Sequence, residues 1–342
     1  MAARPHNIPI FDAEVLLKCQ NNLGEGVVWH SKSNLLHWVD IFASQLHTYD
    51  PKEGTHSIDK YPSKCLTYIT PRAGKEGFIA TFEGSLVELP PPTRPTEKSA
   101  HPTINNKEAV KVLSEPLDKK LVDDGTVRFN DGGVDPHGRV FYGSMGQDEK
   151  APKFPGELWQ IDLSGRQTKV LDEVGVSNGL GFSPDGQKMY YIDSRKDQID
   201  VFDYNLSSGT AVNRRKFASS PPPLDNDHPT EGVYDGLCID GVGNIWAARW
   251  RNGRVIGINP KGEIIAMITV KGSKGATIPC FGGPNLETMY ITTASSYLGG
   301  EGDSDKYPNS GHLFSIDFGP SSPIRKILGP DWKGAERYRA GI

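Results

Sequence analysis

The sequence predicts an all-β chain folded as a single-domain, six-bladed β-propeller, and three observations carry that expectation. Gly and Pro (38 and 26) make up 64 of 342 residues, about 19 %, against roughly 12 % in average usage. Such an excess marks tight turns, and so short strands rather than long helices. One plan recurs six times: a turn, a short aromatic and β-branched strand, a loop, then a second short strand. No apolar stripe with a 3.6-residue period and useful length competes with it.

The units follow in order. LLHWVDI (35–41) pairs with QLHTYDP, GFIATFE (77–83) with GSLVELP, and VFYGSM (140–145) with ELWQIDL. KMYYIDS (188–194) then pairs with QIDVFDY, NIWAARW (244–250) with RVIGINP, and TMYITTA (288–294) with HLFSIDF. Anchored on His37, Phe78, Phe141, Tyr190, Trp246 and Tyr290, the steps are 41, 63, 49, 56 and 44 residues. Spacing of this order fits four-stranded propeller blades. The two long steps contain Pro-rich insertions, 89–109 and 219–230, both expected to be exposed loops or flaps. The repeat stays in phase across them, which favours one domain over two joined by linkers. That domain is placed at 13–320, with 1–12 as an N-terminal extension and 321–342 as a C-terminal tail packed on the propeller. A strand around Glu14–Lys18 is expected to pair with the last unit and remove its open edge.

Composition excludes several classes. A net charge of −4 argues against a nucleic-acid footprint or an anionic membrane surface. No apolar run approaches the ~18 residues that span a bilayer, and Met1–Asp12 lacks a signal pattern. Cys19, Cys65, Cys238 and Cys280 show no CxxC spacing and are too sparse for a disulfide scaffold. The expectation is a soluble, cytoplasmic globular protein, with no protein partner implied.

Counting back from the anchors locates candidate chemistry. Glu25 precedes His37 by 12 residues, Asn130 precedes Phe141 by 11, Asn178 precedes Tyr190 by 12, and Asp235 precedes Trp246 by 11. Equivalent positions of a ring converge on its axis, and four oxygen-bearing side chains there suit Ca²⁺, Mg²⁺, Mn²⁺ or Zn²⁺. The other two units offer Thr67 and Ile278 near that register, so such a site is one-sided. A second reading stands beside this one: each of the four is followed closely by Gly, and such pairs are common turns. Asp135 with Gly138 and Asp185 with Gly186 read as hairpin turns, and Asp40, Asp193 and Asp240 as structural. Gly175–Gly179 fits G-x-S-x-G at Ser177, but a strand and turn follow where a nucleophile elbow needs a helix. The nine His contain no H-E-x-x-H, so a His-rich zinc site is not expected.

These stretches resemble a known family. NNLGEGVVW, RFNDGGVDPHGR, VSNGLGFSPDG, YDGLCIDGVGNIW and FGGPNLETMYITTA are similar to motifs of the senescence marker protein / gluconolactonase / luciferin-regenerating-enzyme family, in order, from about Glu14 to Phe318. The resemblance implies a six-bladed propeller with one axial divalent cation, and often a sugar-lactone hydrolase. It implies Glu25, Asn178 and Asp235 as metal ligands and Arg128 and Asn130 as substrate-binding residues. Three residues beyond Met145, where some members carry a substrate-contacting Glu, stands Asp148, a departure that puts gluconolactone itself in question. The expected reaction is hydrolytic opening of an aldonolactone or related cyclic ester. The cation polarises the carbonyl and acidifies a water, Asp235 is the first choice to accept the water proton with Glu25 and Asp148 as the other candidates, and Arg128 holds ring hydroxyls or the developing oxyanion. Trp250, Arg249 and the loop 219–230 are expected to line the pocket. Other reactions at the same mouth, on another ester, on a phosphotriester or in a non-hydrolytic step, are the first alternative. A non-catalytic, metal-stabilised binding module is the second.

Overall fold

The computed structural model describes residues 8–104, 110–147, 156–221, 232–299 and 302–342. Strand β1 (Ile10–Leu17) is followed by an antiparallel run of β2 (Gly24–His30), β3 (Leu35–Asp40), β4 (Gln45–Asp50) and β5 (Thr55–Lys60). The second run is β6 (Tyr68–Pro71), β7 (Phe78–Thr81) and β8 (Leu86–Leu89), completed after β9 (Pro102–Ile104) by β10 (Lys111–Ser114). A short helix, α1 (Lys119–Asp123), leads to the third run: β11 (Val127–Val134), β12 (Val140–Gly146), β13 (Gly156–Ile161) and β14 (Gln167–Val174). The fourth is β15 (Ser177–Phe182), β16 (Lys188–Asp193), β17 (Gln198–Asn205) and β18 (Thr210–Ser219). The fifth is β19 (Val233–Ile239), β20 (Ile245–Trp250), β21 (Arg254–Ile258) and β22 (Ile264–Val270). The sixth comprises β23 (Ala276–Gly282), β24 (Thr288–Thr293), the short helix α2 (Ser296–Gly299) and β25 (Leu313–Asp317), before α3 (Pro323–Leu328).

The chain is all-β, and all six anchors lie on the second strand of a run. The inner strands β2, β6, β11, β15, β19 and β23 pack on one another in that cyclic order. Apolar clusters fill the spaces between consecutive runs. Val39, Ile69 and Phe78 lie between the first and second, and Ile79, Phe129 and Tyr142 between the second and third. Phe141, Phe182 and Met189 lie between the third and fourth, and Tyr190, Leu237 and Ile256 between the fourth and fifth. Trp246, Phe281 and Phe314 lie between the fifth and sixth, and Trp38, Ile278 and Tyr290 close the cycle between the sixth and first. Inner and second strands are therefore buried on both faces, which explains their near-continuous apolar composition.

Three features refine the expectations. β1 starts at Ile10, inside the segment read as an extension, and it pairs with two runs. Glu14, Val15 and Leu17 face β25 antiparallel, while Ile10–Ala13 pair in parallel with β22. This joins the fifth and sixth runs into one eight-stranded sheet. The first Pro-rich insertion is no free flap. From Pro92 to Ile104 it lies along the edge of the first run: β9 pairs in parallel with β5, and Thr93 donates from N and Oγ1 to Asp59 at 2.8 and 2.6 Å. An edge strand is thereby covered, the usual protection against edge-to-edge pairing. Most of the second insertion, 222–231, lies outside the described residues.

The C-terminal segment closes one end of the channel enclosed by the inner strands. Trp332 is buried and donates its indole N–H to Asp240 at 2.7 Å. Gly241 N donates to Lys333 O at 2.8 Å, Ala340 N to Pro71 O at 2.9 Å and Gly341 N to Gly138 O at 2.9 Å. Arg337 reaches in to donate to Leu237 O at 2.6 Å and Pro279 O at 3.0 Å. A cavity of about 350 Å³ remains beneath this cover, lined by Tyr68, Leu180, Phe182 and Ile239 among others.

Candidate active site at the open end of the channel

The expected ligand positions lie neither in hairpin turns nor in regular strand. Strand register shifts between Glu25 and Val28, Phe129 and Gly132, Ser177 and Leu180, and Tyr234 and Leu237. Glu25, Asn130, Asn178 and Asp235 thus sit at the start of, or inside, β-bulges in four inner strands, all near the same end. A bulge breaks the alternation of side chains and re-aims the extra residue, which lets a buried strand direct a polar group inward. The glycine that follows serves this geometry: a Cβ on Gly179 would lie 2.7 Å from Leu237 N, and one on Gly236 would lie 2.4 Å from the Ile278 Cβ. Neighbouring inner strands approach this closely only without a side chain there.

The four residues form two groups. Asn130 Nδ2 donates to Asn178 Oδ1 at 3.0 Å and to Ser177 O at 2.9 Å. Asn178 Nδ2 donates to Ser194 Oγ at 2.7 Å, and Ser194 Oγ donates to Tyr234 O at 2.6 Å. A polar relay therefore runs from the third run to the residue before Asp235. Arg128 enters it by donating from Nη1 to Asn130 Oδ1 at 2.7 Å. Glu25 and Asp235 are the second group, both buried. Burial raises the Glu25 carboxyl well above its usual range, and the charges of Asp235 and Asp131 push it further. Asp235 is raised by burial and by Asp131, against the pull of Arg128. Burial also pushes Asp131 up to about 6, opposed by Arg337 from the covered end.

Among the described residues no three His, Cys, Asp or Glu side chains converge as a metal centre, so an ion here would need amide oxygen as well. That donor set is present. Glu25 and Asp235 offer hard carboxylate oxygens whose buried charges repel one another, and Asn178 offers an amide oxygen. The residues fit a divalent cation.

The other expected positions divide. Thr67 is buried and its hydroxyl pairs with Thr81 Oγ1 at 2.7 Å, while Ile278 lies in the core, so polar groups crowd one side of the ring. Ser177 is on a strand and accepts from Tyr191 OH at 2.8 Å, a packing role with no base beside it. Asp40, Asp193 and Asp240 are structural: Asp40 accepts from Asn22 N and Leu23 N, and Asp193 from Gly175 N and Val176 N. Arg249 is fully buried, donates to Asp197 and Gly232 O, and stacks on Tyr234, so it fixes the backbone just before β19 to the fourth run; most of the loop expected to line the pocket with it, 222–231, lies outside the described residues. Trp250 stays half-buried at the rim. Asp148 lies outside the described residues. Sequence reading passed over Asp131 and Ser194. Asp131 was marked only by adjacency to Asn130, and Ser194 by nothing local.

Comparison with known proteins agrees with this architecture. Residues 23–295 match the SMP-30/Gluconolactonase/LRE-like region, and the chain belongs to that family. It is 31 % identical over 303 residues to pentonolactonase XacC of Haloferax volcanii, covering 86 % of this chain and 90 % of that protein. Against human regucalcin it is 33 % identical over 298 residues, with 86 % and 90 % covered. The structure of a luciferin-regenerating enzyme superposes with a TM-score of 0.77 at 25 % identity, covering 96 % of this chain and all of that one.

Proposed function

We propose that this protein is a divalent-cation-dependent hydrolase that opens a sugar lactone or related cyclic ester at the open end of a six-bladed propeller, each antiparallel run being one blade. The observation that carries this is the placement of Glu25, Asn178 and Asp235 on inner-strand bulges at one end of one channel, with Arg128 and Asn130 hydrogen-bonded into the same relay. A relative named as a pentonolactonase supports the substrate class.

Glu25, Asn178 and Asp235 would hold the cation, which when bound supplies Lewis-acid polarisation and acidifies water. The protein's own groups do the rest. Asp235, a buried carboxylate at the open end, accepts a proton from the attacking water. The water oxygen bonds to the carbonyl carbon, the ring C–O bond breaks, and the ring oxygen takes up the proton to give a hydroxy acid. Arg128, itself buried, holds a fixed positive charge where negative charge develops on oxygen. Asn130, fixed between Arg128 and Asn178, orients substrate hydroxyls. The thiol state of all four cysteines fits action in the cytoplasm. No helix among the described residues is long and apolar enough to cross a membrane.

The test is acid release from aldonolactones, followed by pH-stat. Protein stripped with EDTA should be inactive and recover on adding Ca²⁺, Mg²⁺, Mn²⁺ or Zn²⁺ singly, and Asp235→Ala should abolish the recovery. Stripped protein with full activity would overturn the cation's role, and cation binding without acid release would move the reaction to another substrate class.

A further inference from the structure

The open end carries two apolar side chains that neither the core nor the proposed chemistry uses. Phe42 is 47 % exposed and Tyr297 is 83 % exposed, although both stand on well-anchored backbone. Phe42 lies in the turn after β3, whose last residue, Asp40, pairs with Gly24 beside Glu25. Asp40 accepts from Asn22 N at 2.8 Å and Leu23 N at 3.1 Å, Ile41 N donates to Leu23 O at 2.9 Å, and Ser44 N closes the turn on Ile41 O at 3.1 Å. Tyr297 rides on α2, and the residue before that helix, Ser295, donates its N–H to Asn22 O at 2.9 Å. Both aromatic residues are therefore tied to the same dipeptide, Asn22–Leu23, two residues before Glu25. Phe42 also touches the substrate-binding side of the site, with its ring 5.8 Å from the Arg128 guanidinium carbon.

The chemistry of this rim differs from that of the relay. A sugar hydroxyl set against a phenyl ring loses hydration and gains no partner, whereas an alkyl or aryl group there removes apolar surface of both partners from water. The backbone that carries both rings is anchored before binding, so only side-chain ordering offsets that gain. Resting on the lactone-opening reading above, we propose that Phe42 and Tyr297 form an apolar subsite, and that the preferred substrate is a lactone bearing an alkyl or aryl substituent on its ring. The relay and Arg128 grip the ester, and the rim selects what is attached to it.

The test compares steady-state opening of an unsubstituted δ-lactone, δ-valerolactone, with that of δ-lactones bearing a hexyl or phenyl group on the carbon next to the ring oxygen. It uses the full chain with added cation. The expected wild-type result is a KM about tenfold lower for the substituted lactones at similar kcat. In Phe42→Ala and in Tyr297→Ala that ratio should shrink towards one through KM alone, and Phe42→Trp should retain it. Equal KM values in the wild type, or a Phe42→Ala loss that falls equally on both substrates, would overturn the subsite while leaving lactone opening intact. Opening of none of these lactones, nor of an aldonolactone, would overturn both readings.

Discussion

At the open end of the channel five inner strands bulge, and the polar side chains of four of them gather two repelling carboxylates, an amide relay and an arginine. At the other end the same strands run out beneath the C-terminal segment, whose Trp332, Arg337 and Ala340 hydrogen-bond to the fifth, sixth and second runs. The first end holds charge that folding does not neutralise; the second is filled by contacts that stabilise. Function and stability are thus separated along one axis, because a buried strand can present a costly polar group only where its alternation is broken. Each end can be broken independently.

The largest effect is expected at the open end. Glu25→Ala and Asp235→Ala should each reduce lactone opening on the order of 10³-fold, within the range for removing a general base. Thermal melts of the cation-free variants should match or exceed the wild type, since each removes an uncompensated buried charge. A variant that loses stability instead would show that these carboxylates are structural. Second, at the covered end, Trp332→Ala should lower unfolding free energy by about 3–5 kcal/mol, the usual cost of deleting a large buried side chain. Urea titration measures that cost, and kcat/KM per folded molecule should stay within about twofold. A large kcat loss in the folded variant would mean that the two ends are coupled.

A smaller effect separates the relay from the carboxylates. Asn130→Ala removes one hydrogen-bonded link and should raise KM about tenfold, corresponding to ~1.4 kcal/mol, with cation affinity by calorimetry little changed. The smallest concerns pH. Asp131, pushed up to about 6, binds its proton more tightly folded than unfolded. Its stabilising contribution is therefore full below the ordinary Asp range and is lost as pH rises from about 4 through 6. His37, with its pKa lowered to about 3 by burial, and His56, lowered to about 4, act in the opposite sense: their contribution is present at neutral pH and falls as pH drops below about 6.5. Melting temperatures of cation-free wild type and Asp131→Asn between pH 4.5 and 8 should therefore diverge, with the variant relatively more stable at the high-pH end. Parallel curves would remove Asp131 from the charged cluster.

Much of this was legible in the residues because repetition is a sequence property. The anchors His37 to Tyr290 all fell on second strands, and counting back 11 or 12 residues reached Glu25, Asn130, Asn178 and Asp235. Two readings of those positions, metal ligands or turns before Gly, could not be separated by composition. Bulges use the same Gly that turns use, and the strand register distinguishes them. That Arg249 is buried against Asp197 and Tyr234 was not legible, because a guanidinium at a mouth and one clamped from within look alike in sequence. The edge-covering path of 92–104 depended on a parallel pairing with β5, which no local pattern encodes.

The sequence by itself determined the all-β class, the repeat and its phase, and which residues place oxygen-bearing side chains at equivalent positions, because strand periodicity and turn chemistry are local. Only the tertiary structure decided that Asp131 joins the carboxylates, that Ser194 links Asn178 to the fifth run, that Arg337 faces them from the covered end, and that Phe42 and Tyr297 share one anchor. Each of these depends on segments tens to hundreds of residues apart meeting through the closure of the inner strands, and a contact across that distance leaves no periodic trace in the chain.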